Sequence, residues 1–249
     1  MPVCSPHDIA PFLAKRGIRS VIAFSGGASA VPNSFGEEVA AANAKATSLF
    51  EASVISEALK RLRPYKDKLA ILTGGTTYGV PAQASRIAKA EGFTTLGIFP
   101  AIGADEALPD DVLDLAICVD STADFQPSTP EAKVKFRSDW GDESPHFVKT
   151  LDGVIVFGGR AGTLVEVAHI LKLNERRKKH HQTPKFIVPI LASGGMADAT
   201  PYLPADPEVR AWSMPSHVVR SGNEAAEILE SKLNLFDLLN DEVNFTTAA

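Results

Sequence analysis

Short apolar runs alternate with longer amphipathic segments through most of the chain. Six runs are rich in β-branched or aromatic residues and carry a charge only at their first position, which is typical of strands buried on both faces. The predicted strands are 21–24, 68–73, 94–99, 114–119, 153–157 and 185–191. A further short edge strand is predicted over 210–214.

The segments between these runs have helical spacing of their apolar residues. The predicted helices are 34–62 in two pieces, 80–91, 146–151, 163–175 and a single last helix that starts at the capping-box sequence of 221–224 and extends to Leu239. Strands that alternate with helices predict an α/β fold, with a Rossmann-like doubly wound, mostly parallel sheet and helices on both faces. We expect about six or seven strands. We also expect a single domain over 1–249, with its core at 18–240 and peripheral termini.

The central stretch, 153–175, joins a strand, a glycine turn and a helix. Glycines let a backbone approach a ligand closely, and the free N–H groups of a first helical turn favour an anion. Thr163 is placed to cap that turn or to bind a phosphate oxygen. Glu166 follows one turn later, where a carboxylate suits a ribose hydroxyl or acid–base chemistry at a sugar carbon.

Glycine-containing turns follow four of the predicted strands, after Phe24, Thr73, Phe157 and Leu191. In a parallel sheet these turns lie at one edge, where ligands bind. Each turn alone has an equally good structural explanation, since two glycines also permit a tight connection. Neither the Walker A spacing nor GxGxxG is present, so the motifs of P-loop NTPases and dinucleotide-binding dehydrogenases are absent.

Composition narrows the class of protein. The net charge is −5 and no long run of one sign occurs, which argues against a nucleic-acid surface. No apolar stretch approaches the length of a membrane span, and the first twenty residues do not resemble a signal peptide. Two cysteines, Cys4 and Cys118, make a disulfide framework improbable. These features predict a cytoplasmic protein with no membrane or nucleic-acid partner, no metal and no cofactor.

Two of the turns carry a resemblance to a known family. The sequences ILTGGTTYGV and VIVFGGRAGTLVE, with a GIFP strand end between them, resemble the SLOG superfamily over roughly residues 18–200. This superfamily includes the LOG-type nucleoside-monophosphate phosphoribohydrolases, long labelled lysine decarboxylases. It also includes nucleotide-sensing domains such as those of TRPM-type channels. The combination of GGTTYGV, WGDES and SGGMAD looks closer to the sensing branch.

The resemblance also shows departures from the LOG-type motif PGGxGTxxE. Gly159, Gly162, Thr163 and Glu166 match it, whereas Gly158 stands for its proline and Arg160 for its second glycine. Asp152 matches the acidic residue that often precedes the strand.

LOG-type enzymes pair the motif's glutamate with a catalytic arginine on the preceding helix. The ungapped position in this chain is Glu143, and Arg137 or Arg160 would have to supply the missing charge. The resemblance therefore implies binding more firmly than catalysis.

We predict a binding site for a nucleotide or nucleotide-derived ligand, with Glu166 as the catalytic residue if the protein is an enzyme. The resemblance implies that Gly26 and Gly27 border the base or ribose. The predicted phosphate-binding residues are Gly74, Gly75, Thr76, Gly79, Gly158, Gly159, Arg160, Gly162 and Thr163. Two alternatives stay open: hydrolysis of the N-glycosidic bond of a nucleoside 5′-monophosphate, and a structural or carrier module that binds nothing. LOG-like relatives imply a homo-oligomer, most simply a dimer.

A loop before the central strand, with Trp140, Asp142 and Glu143, has two interpretations of equal weight. It is either a solvated loop with an anchoring tryptophan or a lid that stacks a base.

Overall fold

A parallel six-stranded sheet forms the centre of the molecule in the computed structural model, which describes residues 4–27, 37–120 and 139–240. The strand order is β4-β3-β2-β1-β5-β6, and every adjacent pair is parallel. The strands are β1 (Ser20–Ser25), β2 (Leu69–Thr73), β3 (Thr94–Pro100), β4 (Leu115–Val119), β5 (Gly153–Val156) and β6 (Phe186–Pro189). The predicted Rossmann-like, doubly wound α/β fold is therefore confirmed.

Helices cover both faces of this sheet. In the described ranges they are α1 (Ile9–Lys15), α2 (Glu37–Leu62), α3 (Gly79–Ala90), α4 (Ser144–Thr150), α5 (Ala161–Lys179), α6 (Gly195–Ala199), α7 (Pro207–Ser213), α8 (Gly222–Lys232) and α9 (Leu235–Asn240). Short 3₁₀ turns lie at Pro6–Asp8, Arg63–Tyr65, Ala101–Glu106 and Thr200–Tyr202. None of the helices in these ranges has the length and apolar character needed to cross a bilayer.

The continuous apolar character of the strands follows from burial on two sides. Along β1, Val21 and Ala23 pack into the cluster beneath α4 and α5, whereas Ile22 and Phe24 pack into the cluster beneath α2, α3 and α8. Alternate side chains of a strand point to opposite faces, so both sets must be apolar when helices cover both. This is why the strands lack the alternation of a half-exposed sheet.

The order of the strands places a switch point between β1 and β5. The chain runs from β1 outward through β2 and β3 to β4, and then returns to the other side of β1 for β5 and β6. The turns after β1 and β5 lead to helices on opposite faces, which leaves a crevice at the carboxyl ends of these two strands. The candidate site is therefore expected there.

Three local predictions are wrong, each for a physical reason. Residues 210–213 belong to α7 and Met214 is its C-cap, so no strand forms there, because Asp206 caps this helix by accepting from the N–H groups of Glu208 and Val209. The last helix is two helices, since Asn234 adopts a positive φ of 50° between α8 and α9. The first long helix is a single piece over Glu37–Leu62. Its alanine-rich and apolar parts have compatible helical spacing and hold no breaking residue.

The β4 edge of the sheet is partly covered by the chain's beginning. The Cys4 N–H donates to the Ala116 carbonyl at 3.0 Å, and the Cys118 N–H donates to the Cys4 carbonyl at 3.1 Å. Cys4 pairs in parallel with Ile117, so Cys4 and Cys118 point to opposite faces. Both cysteines are free thiols.

Helices α2 and α8 make the tightest backbone contact on one face of the sheet. A Cβ atom on Gly222 would lie 1.8 Å from the Val54 carbonyl oxygen and 2.7 Å from the Ala58 nitrogen. Only a residue without a side chain fits this crossing, and the Gly222 N–H also donates to Glu57 Oε2 at 3.1 Å. The close approach lets Ala225, Ala226 and Leu229 enter the core.

Gly222→Ala should therefore lower the free energy of unfolding by about 1–3 kcal/mol, because the methyl group overpacks a backbone contact. Gly162→Ala is the matched control, since no atom lies within 4 Å of a Cβ at that helical position. The control should leave stability unchanged or raise it by about 0.5–1 kcal/mol. Urea unfolding measures both variants, and equal stability of the two would contradict the tight crossing.

Candidate functional site

The amino-terminus of α5 opens directly onto the switch point. Strand β5 ends at Val156, the chain turns through Gly158 and Gly159, and α5 begins at Ala161 with Arg160 as its N-cap. Gly159 has φ +78°, and a Cβ there would lie 2.2 Å from Thr163 Oγ1, so this turn requires glycine. The turn thereby brings the first helical N–H groups to the carboxyl edge of the sheet.

Three of these N–H groups lack an acceptor within the described part of the chain. The N–H groups of Ala161, Gly162 and Thr163 form no hydrogen bond there, and the first intrahelical bond runs from Leu164 N to the Arg160 carbonyl. Ala161 and Gly162 are exposed, and the space beside Gly162 is open. Free donors at the positive end of a 19-residue helix form an anion-binding position.

Glu166 lies one turn further along α5 and meets β1. The buried Ser25 hydroxyl, at the carboxyl end of β1, donates a hydrogen bond to Glu166 Oε2. Burial raises the pKa of Glu166 from 4.5 to about 7; the Ser25 hydrogen bond opposes this shift, and the negative charge of Glu143 adds to it. Near neutral pH this carboxyl group is therefore present in both protonation states, which suits proton exchange with a bound molecule.

Glu143 occupies the position where the resemblance led us to expect an arginine. It is the N-cap residue of α4, is partly buried, and accepts a hydrogen bond from the Gly141 N–H at 2.9 Å. Burial raises its pKa, backbone N–H bonds oppose this, and Asp142 adds repulsion. The negative charge of Glu143 acts on Glu166, so two carboxyl groups lie near each other where the resemblance implies a carboxylate and a guanidinium.

Arg160, one of the two arginines proposed as a substitute, does not pair with Glu166. Arg160 is exposed, and its guanidinium forms no hydrogen bond or ion pair with any residue of the described ranges. It stands at the mouth of the α5 turn, where it is free to meet a ligand. Arg137 lies outside the described residues.

The first glycine turn borders the same crevice. A Cβ on Gly26 would lie 2.7 Å from Val80 Cγ2 and 3.1 Å from Phe157 Cβ, so the backbone fits between α3 and the end of β5. The Gly27 carbonyl accepts from the Val80 N–H at 3.1 Å, and the Gly27 nitrogen lies 3.2 Å from the place of a Cβ on Gly159. Gly26 and Gly27 are thus beside the α5 turn, as the sequence suggested.

The second turn, Gly74–Gly79, is held largely by the neighbouring segment after β3. The Gly75 carbonyl accepts from the Leu108 N–H at 2.7 Å, and the Thr77 N–H donates to the Glu106 carbonyl at 2.9 Å. Gly75 has φ +67°, and a Cβ there would lie 3.0 Å from Gly97 Cα.

Some of the donors at this turn are already engaged. The Val80 N–H at the start of α3 is already bonded to Gly27, and Pro81 has none. Thr76 is buried, and its hydroxyl has no partner among the described atoms. The ligand role of Gly74, Gly75, Thr76 and Gly79 stays a prediction.

The glycine turn after β6 holds the backbone of the α5 turn in place. The N–H groups of Met196 and Ala197, at the start of α6, donate to the Gly158 carbonyl at 2.9 and 3.2 Å. A Cβ on Gly195 would lie 2.3 Å from the Gly159 carbonyl oxygen. The donors of α6 are therefore used to fix the backbone of the α5 turn.

Trp140 packs against the segment after β3. A Cβ on Gly103 would lie 2.8 Å from Trp140 Cη2, which shows that the indole lies on the backbone of the 3₁₀ turn Ala101–Glu106. The side chain is still 54% exposed. This contact agrees with the anchoring interpretation of the loop.

Sequence reasoning missed Ser25 as a site residue. Its signal was a polar residue directly after the apolar run 21–24 and directly before two glycines. Within the described ranges, no group of three or more His, Cys, Asp or Glu side chains has the arrangement of a metal site.

The sequence of the second and third turns matches the model of a recognised family. Residues 64–178 match the model of the SLOG cluster4 family. The match spans both the Gly74–Gly79 turn and the α5 turn, so the resemblance is confirmed. No curated protein matches the chain in a sequence search.

Solved structures share the fold at low identity. The structural-genomics target TM1055 is 17% identical, with a TM-score of 0.58 over 86% of this chain and 99% of that one. The molybdenum cofactor carrier protein of Chlamydomonas reinhardtii is 18% identical, with a TM-score of 0.53 over 87% and 99%. The molybdenum cofactor binding protein of the phototrophic bacterium Rippkaea orientalis is 21% identical, with a TM-score of 0.50 over 86% and 98%. These likenesses establish the fold alone.

The raised pKa of Glu166 predicts a specific pH dependence of stability. Because the folded state binds this proton more tightly than the unfolded state, the free energy of unfolding should fall as pH rises from about 4.5 to about 7. Glu166→Gln should remove this contribution and stabilise the protein at pH 8 by about 1–3 kcal/mol, with little effect at pH 4. Denaturant unfolding at the two pH values measures the difference.

Glu51 on α2 also contributes to the pH dependence of the free energy of unfolding. Burial raises its pKa to about 7 as well, so part of the pH dependence should persist in Glu166→Gln. Glu175→Gln, near the other end of α5, is the control. A stabilisation by Glu166→Gln that is equal at pH 4 and pH 8 would rule out the raised pKa of Glu166.

Proposed function

We propose that the switch-point crevice binds a nucleotide or nucleotide-derived ligand, with a phosphate group at the amino-terminus of α5. The observation that carries this proposal is the set of three unpaired N–H groups at Ala161, Gly162 and Thr163, the first two of which belong to exposed residues. A phosphate oxygen accepts such hydrogen bonds and is favoured by the helix dipole. The exposed Arg160 guanidinium adds a forked donor at the same turn.

The sugar of the ligand would lie deeper, towards Glu166. A phosphate on the first turn of α5 puts a ribose within one helical turn of this carboxyl group. Its raised pKa allows it to donate to a hydroxyl oxygen as well as to accept from a hydroxyl group. Glu143 would hold a second hydroxyl or an amino group, whereas two phosphates side by side would meet repulsion from this pair of carboxyl groups.

Two structural neighbours support this class of ligand. Their names describe a molybdenum cofactor carrier protein and a molybdenum cofactor binding protein. That cofactor is a nucleotide-derived small molecule, which is the class of ligand proposed for this chain. Almost the entire length of each of these two proteins aligns with this chain. A binding or carrier role for this protein is therefore consistent with the names of these two proteins that share its fold.

A hydrolase is the second candidate, and the Glu166–Ser25 pair is the observation that favours it. In this reaction water would attack C1′ of a nucleoside 5′-monophosphate, the C1′–N bond would break, and the base would leave with a proton. Ionised Glu166 is a suitable base for the attacking water, and its pKa of about 7 matches that task. The absence of a pairing cation for Glu166 in the described ranges favours binding over this reaction.

The exposed side of α5 supports assembly into a homo-oligomer. Leu164 and Val165 are 37% and 46% exposed and form an apolar stripe with the exposed Ala161 and Ala168. We propose that a second copy of the chain covers this stripe, beside the ligand site.

A nucleotide should raise the melting temperature of the protein, and Gly162→Asp should abolish the shift. The added carboxylate stands in the open space beside the free N–H groups and repels phosphate. A panel of nucleoside mono- and diphosphates, measured by differential scanning fluorimetry, tests this. Lys172→Gln is the matched control, because it makes the same charge change on α5 three turns away from the crevice.

The control variant should keep the full shift. A shift that survives Gly162→Asp would place the phosphate elsewhere and contradict the proposed orientation. Failure of every nucleotide to stabilise the wild-type protein would favour the module that binds nothing.

Incubation with AMP distinguishes the binding protein from the hydrolase. We expect intact AMP after prolonged incubation, measured by liquid chromatography, together with a stabilising shift. Release of adenine and ribose 5-phosphate that is lost in Glu166→Gln would overturn the binding assignment and establish the hydrolase.

A further inference from the structure

A second polar cavity lies at the amino edge of the sheet, opposite the glycine turns. It has a volume of about 330 Å³ and opens where the chain enters β1, β5 and β6, beneath the carboxyl ends of α5 and α8. Its polar lining comes from five separate elements. The charged side chains are Arg19, Asp152, Arg177, Lys185 and Lys232.

The charges of this cavity are strongly unbalanced. Without counting Arg19, three cations (Arg177, Lys185 and Lys232) line it against the single carboxylate of Asp152. Asp152 Oδ2 is already engaged by the Val21 N–H at 2.9 Å and by the Ser20 hydroxyl at 3.2 Å, which fix β5 beside β1. The fold therefore concentrates positive charge in a recess, and the carboxyl ends of α5 and α8 supply only partial negative charge.

Lys185 is the most confined of these cations. Its side chain is 5% exposed, and its ammonium donates to the carbonyls of Lys149 and Leu151. An ammonium has three hydrogens, and the third has no acceptor in the described part of the chain. Burial lowers its pKa to about 8; Asp152 opposes this shift, and Arg177 adds to it.

Arg177 and Lys232 are positioned with donors to spare. Arg177 Nε donates to the Thr183 carbonyl at 2.5 Å, and its two terminal NH₂ groups form no bond with the described residues. The Lys232 ammonium lies 5.8 Å from the centre of the Phe186 ring, which holds it at the rim. These donors converge from different helices and strands and have no common carboxylate partner.

We propose that this amino-edge cavity is a second binding site, for a small polyanion that carries two or more negative charges. Lys185 and Arg177 would bind it at the base of the cavity, and Lys232 would add positive charge at the rim. Pyrophosphate and citrate both carry several anionic oxygens and fit the volume. The site is separate from the crevice because the full length of the parallel strands lies between the two edges of the sheet.

Titration with pyrophosphate and with citrate tests the proposal by isothermal titration calorimetry, at constant ionic strength against sodium chloride. We expect a saturable one-site isotherm for at least one of the two polyanions and none for chloride. Affinity should weaken at least tenfold in Lys232→Gln and in Arg177→Gln. Lys172→Gln, which makes the same charge change on the exposed side of α5, should leave it unchanged.

A second set of variants separates this site from the switch-point crevice. Gly162→Asp should leave polyanion binding at the amino edge intact, even if it abolishes nucleotide binding. Loss of the polyanion isotherm in Gly162→Asp, with retention in Lys232→Gln, would show that the anion binds at α5 and would overturn the proposal. No isotherm with either polyanion would overturn it as well.

Lys185→Met provides a readout of folding as well as of binding. It removes a buried charge that is only partly compensated, and circular dichroism compares the fold of the variant with that of the wild type before titration. A folded Lys185→Met that binds pyrophosphate as tightly as the wild type would contradict the role of this lysine.

Discussion

The parallel pairing of β1 with β5 determines where every group of the candidate site lies. Its register sets Ser25 beside Val156, the last residue of β5. From there the chain needs only one glycine turn to start α5, and one further helical turn brings Glu166 back onto Ser25. A slip of two residues in this pairing would separate the hydroxyl from the carboxyl group and move the free N–H groups away from the crevice.

Much of the fold was predictable because both faces of the sheet are covered. Uncharged runs such as 21–24 and 153–157 have no other stable place in a chain of this length, and their alternation with helices specifies a parallel sheet. Where prediction failed, local chemistry competed with pattern. The apolar spacing at 210–214 fits a strand as well as a helix, and the Asp206 cap decides in favour of α7. The left-handed conformation of Asn234 gives no periodic signal at all.

The candidate site was predictable only in part. The glycines, Thr163 and Glu166 predict the α5 turn from the sequence. Together they combine a backbone conformation that requires glycine with free N–H donors and a carboxyl group. The Glu166–Ser25 hydrogen bond joins residues 141 positions apart, so sequence spacing cannot reveal it. Nor could spacing show that the donors of α6 are consumed by Gly158, or that Gly75 is tied to Leu108. Four similar glycine turns in sequence therefore have different surroundings in space.

The contact between α6 and the Gly158 carbonyl has a further consequence for recognition. Both the carbonyl of Gly158 and the backbone around Gly159 are held by a neighbouring helix before any ligand arrives. A loop that is already fixed loses little conformational entropy when it binds. The α5 turn is thus preorganised, and its selectivity depends on whether a ligand matches a rigid set of donors, since the turn has little freedom to adapt to a poor one.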